Sequence, residues 1–177
     1  MKKQTFEIDA VRSNIGWTGR KVTGAHSGTI SIKQGVLTTT DGQLTGGHFI
    51  VDTTSIKVLD ITDPATNAQF AGHLASDDFF ASAQYPEATF RITAISSNHI
   101  DGNLTIKDIT HPIGFDASID IAGDTLSASG QITIDRTKFD MKFRSGNFFQ
   151  NLGDNLIYNN FDLAVNITAK AAQPALV

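Results

Sequence analysis

The sequence lacks several residues and patterns that particular classes of protein require. Its 177 residues include no cysteine, which excludes disulfide bonds, thiolate catalysis and cysteine-ligated zinc or iron–sulfur sites. No run of lysine and arginine is longer than a pair and the formal net charge is -4, so we expect no nucleic acid partner. No window approaches the ~20 apolar residues of a membrane-spanning helix, so we expect no transmembrane segment.

We expect no signal peptide at the amino terminus. Lys2 and Lys3 are followed by "QTFEIDAVRSN", in which Glu7, Asp9 and Arg12 interrupt what would have to be a continuous apolar segment. We therefore expect a cytoplasmic location, with a periplasmic location as the alternative if a leader was removed from this chain.

The dominant pattern is an alternation of apolar and polar residues, which is typical of half-buried β-strands. It runs from Phe6 and Ile8 to Val165 and Ile167, and it predicts roughly eight strands in an all-β single domain over residues 1–170. Residues 171–177 are expected to form a frayed tail. The pattern leaves two architectures open, a sandwich of two sheets and a closed antiparallel barrel.

One segment has a helical pattern instead. Asp63 is suited to cap a helix that begins at Pro64, where the missing N–H of proline costs nothing, and Phe70 and Leu74 share a face. The sequence therefore predicts a short helix from Pro64 to Leu74. A second helical turn is expected from Gly146 to Leu152.

The stretch "GHLASDDFFASAQYPEATF", from Gly72 to Phe90, places His73 close to Asp77 and Asp78. Hydrogen bonding and capping around a turn explain these residues better than a metal site, because a second histidine at ligand spacing is missing. The remaining histidines are scattered along the chain, and no nucleophile elbow, P-loop, HExxH or dinucleotide motif is present. The sequence therefore predicts no catalytic residues and no metal ligands.

Basic residues alternate with others in "DRTKFDMKFRSG". Arg136, Lys138, Lys142 and Arg144 share one parity of a predicted strand. Two interpretations stay open: a solvated cationic strand face, or a pocket mouth at which one or two of these residues bind an anionic headgroup.

The Gly72 to Phe90 stretch also resembles the signature of the YceI-like family, which is close to H-L-x-S-x-D-F-F-x-x-x-x-Y-P-x-x-T-F. Three further segments resemble the family in the same order: "VDTTSI" from Val51, "GNLTIKDITHPI" from Gly102 and "IDRTKF" from Ile134. The sequence departs from the family at Asp108, where a glycine is usual, and residues 12–15 stand in place of the commoner H-S-x-V. The resemblance covers nearly the whole chain.

The resemblance implies a lipocalin-like, eight-stranded antiparallel β-barrel that binds a polyisoprenoid or another long amphiphilic lipid, without established catalytic residues. It favours a non-enzymatic carrier or storage protein for an isoprenoid quinone, a polyprenyl lipid or a similar amphiphile, with no other cofactor. Two alternatives remain. One is a barrel packed solid that acts through a protein partner, and the other is a hydrolase or isomerase that uses histidine and aspartate from the turns. A homodimer is compatible with each of them.

In such a barrel one strand parity faces inward, and we choose the apolar parity as the lining of the ligand channel. The predicted ligand-binding residues are Trp17, Phe49, Val51, Phe80, Phe90, Ile92, Leu104, Ile106, Phe115, Ile119, Ile132, Ile134 and Phe139. The alternative is that the same side chains simply fill a packed interior, because cores and pocket linings have similar compositions.

Overall fold

The computed structural model describes residues 3–21, 24–141 and 157–172, with the backbone alone at 157 and 158. The predicted turn from Gly146 to Leu152 and the tail from 173 onward lie outside the described residues. The described elements are β1 (Lys3–Ile8), β2 (Asn14–Lys21), β3 (Gly24–Thr40), β4 (Gln43–Val58), α1 (Pro64–Leu74), β5 (Glu87–Ser96), β6 (His99–Ile106), β7 (Ile109–Ala122), β8 (Thr125–Asp135), a 3₁₀ helix (Arg136–Phe139) and β9 (Ile157–Ala171).

The strands close into an antiparallel barrel. Starting from β3, the order around the wall is β3-β2-β9-β8-β7-β6-β5-β4, and β4 pairs with β3 again. β1 is not a ninth strand of the ring. It pairs with the last residues of β3 and β9, and β2 pairs with the preceding residues of the same two strands. The predicted eight-stranded antiparallel barrel is therefore confirmed. Closure leaves no free sheet edge around the ring of strands.

The barrel interior is filled by the apolar parity of the strands. On β4, Phe49 and Val51 are buried, and on β6 Leu104 and Ile106 are buried, while the residues between them face outward or are half-buried. One contiguous core of such residues runs from Phe6 on β1 to Ala169 on β9. Alternation with period 2 therefore decides which side chains enter the core.

The helix α1 has the predicted bounds, Pro64–Leu74. The Asp63 carboxylate caps it by accepting hydrogen bonds from the Thr66 N–H at 2.9 Å and the Thr66 hydroxyl at 2.6 Å, which lower the pKa of Asp63. The Asn67 amide then ties the first turn to the chain end of β4 by donating to the Val58 and Ile61 carbonyls at 2.8 and 3.0 Å. None of the helix residues is fully buried, so α1 lies on the barrel rather than inside it.

The last strand continues past residue 170, the end of the predicted domain. β9 runs to Ala171, whose N–H donates to the Asp124 carbonyl at 2.7 Å, and the Ala172 N–H donates to the Thr5 carbonyl at 2.8 Å. The first two residues of the predicted tail are thus hydrogen-bonded to the barrel.

Within the part of the chain that the structure describes, no helix combines the length and the apolarity needed to cross a membrane.

Candidate ligand-binding site

A cavity of about 250 Å³ lies between α1 and one end of the barrel. Strands β2, β3, β4 and β9 form its floor and sides, α1 covers it, and the loop after α1 and the 3₁₀ segment complete it. Most of the lining is apolar: Trp17, Ile30, Ile56, Phe70, Leu74, Phe79, Phe80, Met141, Phe161 and Leu163. An apolar enclosure of this kind suits the hydrocarbon part of a ligand.

The helix contributes one face to the cavity. Phe70, His73 and Leu74 have helical spacings of three and four, so their side chains point the same way. Phe70 lies nearly parallel to Trp17 of β2, with 6.4 Å between the ring centroids. The contact between these two rings joins the helix to the wall of the barrel.

The position of the Trp17 ring depends on Gly28, the residue opposite it on β3. A methyl group at residue 28 would collide with the Lys57 carbonyl oxygen and would lie 2.6 Å from the Trp17 ring. With glycine there, the indole N–H donates to the Thr29 carbonyl at 3.2 Å. Trp17 is thus held by a hydrogen bond on one side and exposes its ring to the cavity on the other.

Polar side chains form the rim of the cavity, and several of them are paired with carboxylates. Arg20 binds Asp162 of β9, and this hydrogen bond lowers the pKa of Asp162. His73 Nε2 lies 3.0 Å from an oxygen of Asp78. Lys21 and Asn160 complete the rim on the β2 and β9 side. The rim therefore offers hydrogen-bonding groups next to an apolar interior.

Arg136 lies inside this site, and its position corrects a prediction. The Asp135 carboxylate accepts from the Thr137 N–H at 3.0 Å, which ends β8 and starts the 3₁₀ helix. The interpretation of Arg136 and Lys138 as one face of a strand is therefore wrong. Arg136 is only 3% exposed and donates to the Met141 carbonyl, whereas Lys138 is exposed.

Burial lowers the pKa of Arg136 to about 10, and its guanidinium lies 5.7 Å from the centroid of the Phe79 ring. A guanidinium retains its charge at neutral pH even with that pKa, so Arg136 brings a cation to the lining of the cavity. The remaining basic residues of the predicted strand, Lys142 and Arg144, lie outside the described residues.

Lys107 holds together two segments that border the cavity. Its ammonium group donates to the Asp77 carbonyl at 3.1 Å and to the Asp140 carbonyl at 3.0 Å. Asp77 precedes the lining residues Phe79 and Phe80, and Asp140 precedes the lining residue Met141. We refer to these two hydrogen bonds as the Lys107 clamp. No sequence pattern pointed to it, because its partners are backbone atoms.

Comparison with known proteins gives the family. The family model of the YceI-like domain matches residues 6–169. The chain belongs to the YceI-like family. A UPF0312 protein of Staphylococcus epidermidis is 29% identical over 149 residues, which cover 78% of this chain and 82% of that protein. Protein YceI of Escherichia coli is 31% identical over 81 residues, which cover 44% of this chain and 39% of that protein.

Solved structures share the fold at low sequence identity. BcnA of Burkholderia cenocepacia has a TM-score of 0.71 at 18% identity, covering 92% of this chain and 99% of that one. A polyisoprenoid binding domain from Saccharophagus degradans has a TM-score of 0.70 at 12% identity, covering 96% and 99%. These likenesses agree with the barrel described above.

The YceI-like signature around His73 forms the turn between α1 and β5. The His73 carbonyl accepts from the Ser76 hydroxyl, and the Asp78 N–H donates to the same hydroxyl at 3.4 Å. Across the segments that the structure describes, no three histidine or acidic side chains are grouped as metal ligands would be. The hydrogen bonds of Ser76 with the His73 carbonyl and the Asp78 N–H agree with hydrogen bonding and capping as the role of His73 and Asp78. The carbonyl of Asp77 belongs to the Lys107 clamp.

The predicted ligand-binding residues fall into two groups. Trp17 and Phe80 line the cavity. The others lie in the core beyond it, either buried or partly buried against it: Phe49, Val51, Phe90, Ile92, Leu104, Ile106, Phe115, Ile119, Ile132, Ile134 and Phe139. All of the predicted residues lie in one cluster in the structure. Their contact with a ligand stays a prediction.

Sequence reasoning missed most of the cavity lining. Ile30, Phe161 and Leu163 carry the same alternation signal as the core, and this signal does not mark them as lining residues. The helical spacing of Phe70 and Leu74 predicts a shared helix face but does not show that this face borders a cavity. The missing information is where the helix lies on the barrel, which the sequence pattern does not contain.

Proposed function

We propose that this YceI-like protein binds the apolar chain of an isoprenoid quinone, a polyprenyl lipid or a similar amphiphile and carries or stores it without chemical change. The observation that supports this most is the apolar cavity under α1, with aromatic rings inside and hydrogen-bonding groups at its rim. The relative from Saccharophagus degradans with the same fold is described as a polyisoprenoid binding domain. Transfer of one methylene group from water into such a cavity is worth roughly 0.8 kcal/mol.

The size of the cavity bears on how the ligand is held. A volume of about 250 Å³ is small for a long chain, since pockets for drug-sized ligands span roughly 300–1,000 Å³. A short chain fits within the cavity alone. A longer chain needs room in the neighbouring core, where the remaining predicted lining residues lie.

The experiment is lipid extraction and mass spectrometry on freshly purified protein, combined with a binding titration. The sequence has one tryptophan, and Trp17 lines the cavity, so its fluorescence reports occupancy directly. We expect a chain lipid in near-stoichiometric amount and a saturable change in Trp17 fluorescence on titration with farnesol. Absence of both a copurified lipid and a fluorescence response would leave the packed barrel with a protein partner as the better interpretation.

Two matched substitutions locate the ligand. Leu163→Trp fills the cavity, whereas Leu104→Trp enlarges a side chain in the core beyond it. Copurified lipid is expected to fall strongly in Leu163→Trp while the barrel stays folded. Retention of lipid by Leu104→Trp would confine the ligand to the cavity, and its loss from a folded Leu104→Trp protein would support the extended channel. Overpacking a filled core typically costs about 1–3 kcal/mol, so stability is measured alongside.

A further inference from the structure

His26 of β3 lines the cavity and is held in one orientation by the segment between β4 and α1. Its Nδ1 lies 2.8 Å from one carboxylate oxygen of Asp60, and the other oxygen of Asp60 accepts from the Ser27 N–H at 3.1 Å. The imidazole also packs against the Phe70 ring, with 4.7 Å between centroids. A carboxylate fixed at both oxygens and a ring packed on one face leave the imidazole little freedom to turn.

This arrangement fixes which nitrogen carries the proton. Partial burial would raise the pKa of Asp60, but the hydrogen bonds from His26 and Ser27 outweigh it and the pKa is lowered. An ionised carboxylate can only accept, so the Nδ1 of His26 must donate to it. In the neutral imidazole the proton on Nδ1 leaves Nε2 as a bare acceptor. No protein group within the described ranges pairs with Nε2.

The other charged groups at the cavity are mainly donors. Arg20 and Lys21 reach it from β2 and Arg136 from the 3₁₀ helix, and a guanidinium or ammonium group has no acceptor. On α1, His73 uses its Nε2 in the contact with Asp78. A ligand group that meets Nε2 of His26 must therefore supply a hydrogen of its own.

We infer that His26 is a specificity-determining residue, whose Nε2 accepts a hydrogen bond from a hydroxyl group at the end of the bound chain. The inference rests on the proposed function and narrows its ligand class. The cavity then favours a chain that ends in an alcohol or a hydroquinone over the same chain ending in an ether or a quinone. A bound ligand displaces water from Nε2 of His26. If that ligand cannot donate a hydrogen bond, Nε2 is left unpaired next to apolar surface, which costs free energy.

The test compares farnesol with farnesyl methyl ether, which has the same chain and an oxygen that accepts but cannot donate. Binding is followed by Trp17 fluorescence at pH 8. We expect the wild-type protein to bind farnesol about three- to tenfold more tightly than the ether, which corresponds to one net hydrogen bond. A short-chain ubiquinol and ubiquinone pair forms a second arm, which distinguishes a hydroquinone from an alcohol as the preferred ligand.

Two variants assign the preference to His26. His26→Phe keeps a ring against Phe70 without an acceptor, and we expect it to bind both compounds with nearly equal affinity. In Asp60→Asn the amide can donate to Nδ1, which allows the proton to move to Nε2, so the preference for farnesol should shrink or reverse. His111→Phe is the matched control, because His111 contacts Phe139 outside the cavity and should leave the preference unchanged.

The outcomes separate the two proposals. If wild-type protein binds both compounds equally, or if His26→Phe still prefers farnesol, the role of His26 is refuted while the proposed function stands. If neither compound binds, the role of His26 is refuted, and the proposed function fails as well when no lipid copurifies with the protein. A preference that is lost in His26→Phe and kept in His111→Phe establishes the inference.

Discussion

Two groups of aromatic rings in the molecule are built from the same kinds of residue but pack differently. In the first, Phe90 of β5 lies 5.5 Å from Phe49 and 5.8 Å from Phe115, and it is 3% exposed. In the second, Trp17 and Phe70 lie 6.4 Å apart beside an open cavity. The rings of the first group are in close contact with one another, and the second group borders a cavity that leaves room for a ligand.

The difference comes from the elements that carry the rings. Phe49 and Phe90 lie opposite each other on the paired strands β4 and β5. The Phe90 ring also packs against Gly102 of β6, where a methyl group would collide with the ring. Trp17 faces a helix instead, and that helix has no fully buried residue. Strand register brings inward side chains together, whereas a helix laid across the barrel end covers space without filling it.

The largest expected effect is a difference in stability between the two groups. Phe90→Ala should lower the free energy of unfolding by about 3–5 kcal/mol, as is typical for a large ring removed from a filled core. Phe70→Ala should cost only about 1–2 kcal/mol, because the ring is half-buried and borders a cavity already present. Urea unfolding followed by far-UV circular dichroism measures both. Equal costs for the two variants would show that the second group is packed as well as the first.

The same contrast explains what could be predicted from the sequence. The alternation predicted the strands, and the capping signal at Asp63 predicted α1 with its bounds, because both signals depend on neighbours in the chain. The alternation alone left a sandwich and a barrel open, and the closed barrel was implied by the resemblance to the YceI-like family. The alternation could not separate the lining residue Leu163 from the core residue Leu104, since both are apolar residues of the inward parity. The pair of His26 and Asp60 spans 34 residues, and only the completed fold brings them together.

The end of the 3₁₀ helix shows another limit. The strand predicted through Arg136 relied on parity alone, and a hydrogen bond from Thr137 to Asp135 overrides it. Asp140 then adopts a left-handed conformation, with φ of 62°, as the cap of that helix. Local side-chain to backbone hydrogen bonds of this kind compete with strand formation and are easily missed in an alternating pattern.

A smaller effect is expected from opening the Lys107 clamp at the cavity. Lys107→Met removes two hydrogen bonds donated by a nearly buried ammonium group, and we expect a loss of about 2 kcal/mol in stability. Lys33→Met is the matched control, since Lys33 forms an ion pair with Glu87 that is exposed to solvent and should contribute little to stability.

The Lys107→Met variant also tests whether the Lys107 clamp helps to shape the ligand cavity. Because the clamp joins the segments that carry Phe79, Phe80 and Met141, its loss should weaken farnesol binding in the Trp17 titration as well as lower stability. Unchanged affinity in a destabilised Lys107→Met protein would show that α1 and the strands alone shape the cavity.

The smallest expected effect concerns the turn that carries Lys107. Ile106 pairs with Ile109, so Lys107 and Asp108 form a two-residue hairpin loop, and both have positive φ, 54° and 61°. A loop of this geometry favours glycine at its second position, and the YceI-like family usually has glycine where this chain has Asp108. Relief of the left-handed strain should outweigh the greater flexibility of glycine in the unfolded chain, so Asp108→Gly should raise the free energy of unfolding by about 0.5–1 kcal/mol.

Asp108→Ala is the matched control, and it should be no more stable than the wild type because alanine tolerates the left-handed region poorly. Both variants keep Lys107 and are compared by urea unfolding and by farnesol titration. A gain in stability for Asp108→Gly with unchanged affinity would place the strain in the turn alone. If Asp108→Gly is less stable than wild type, the aspartate is needed to hold Lys107 in place. The Lys107 clamp and the hairpin loop of Lys107 and Asp108 would then act as one unit. This loop, which follows β6, would help to set the shape of the cavity.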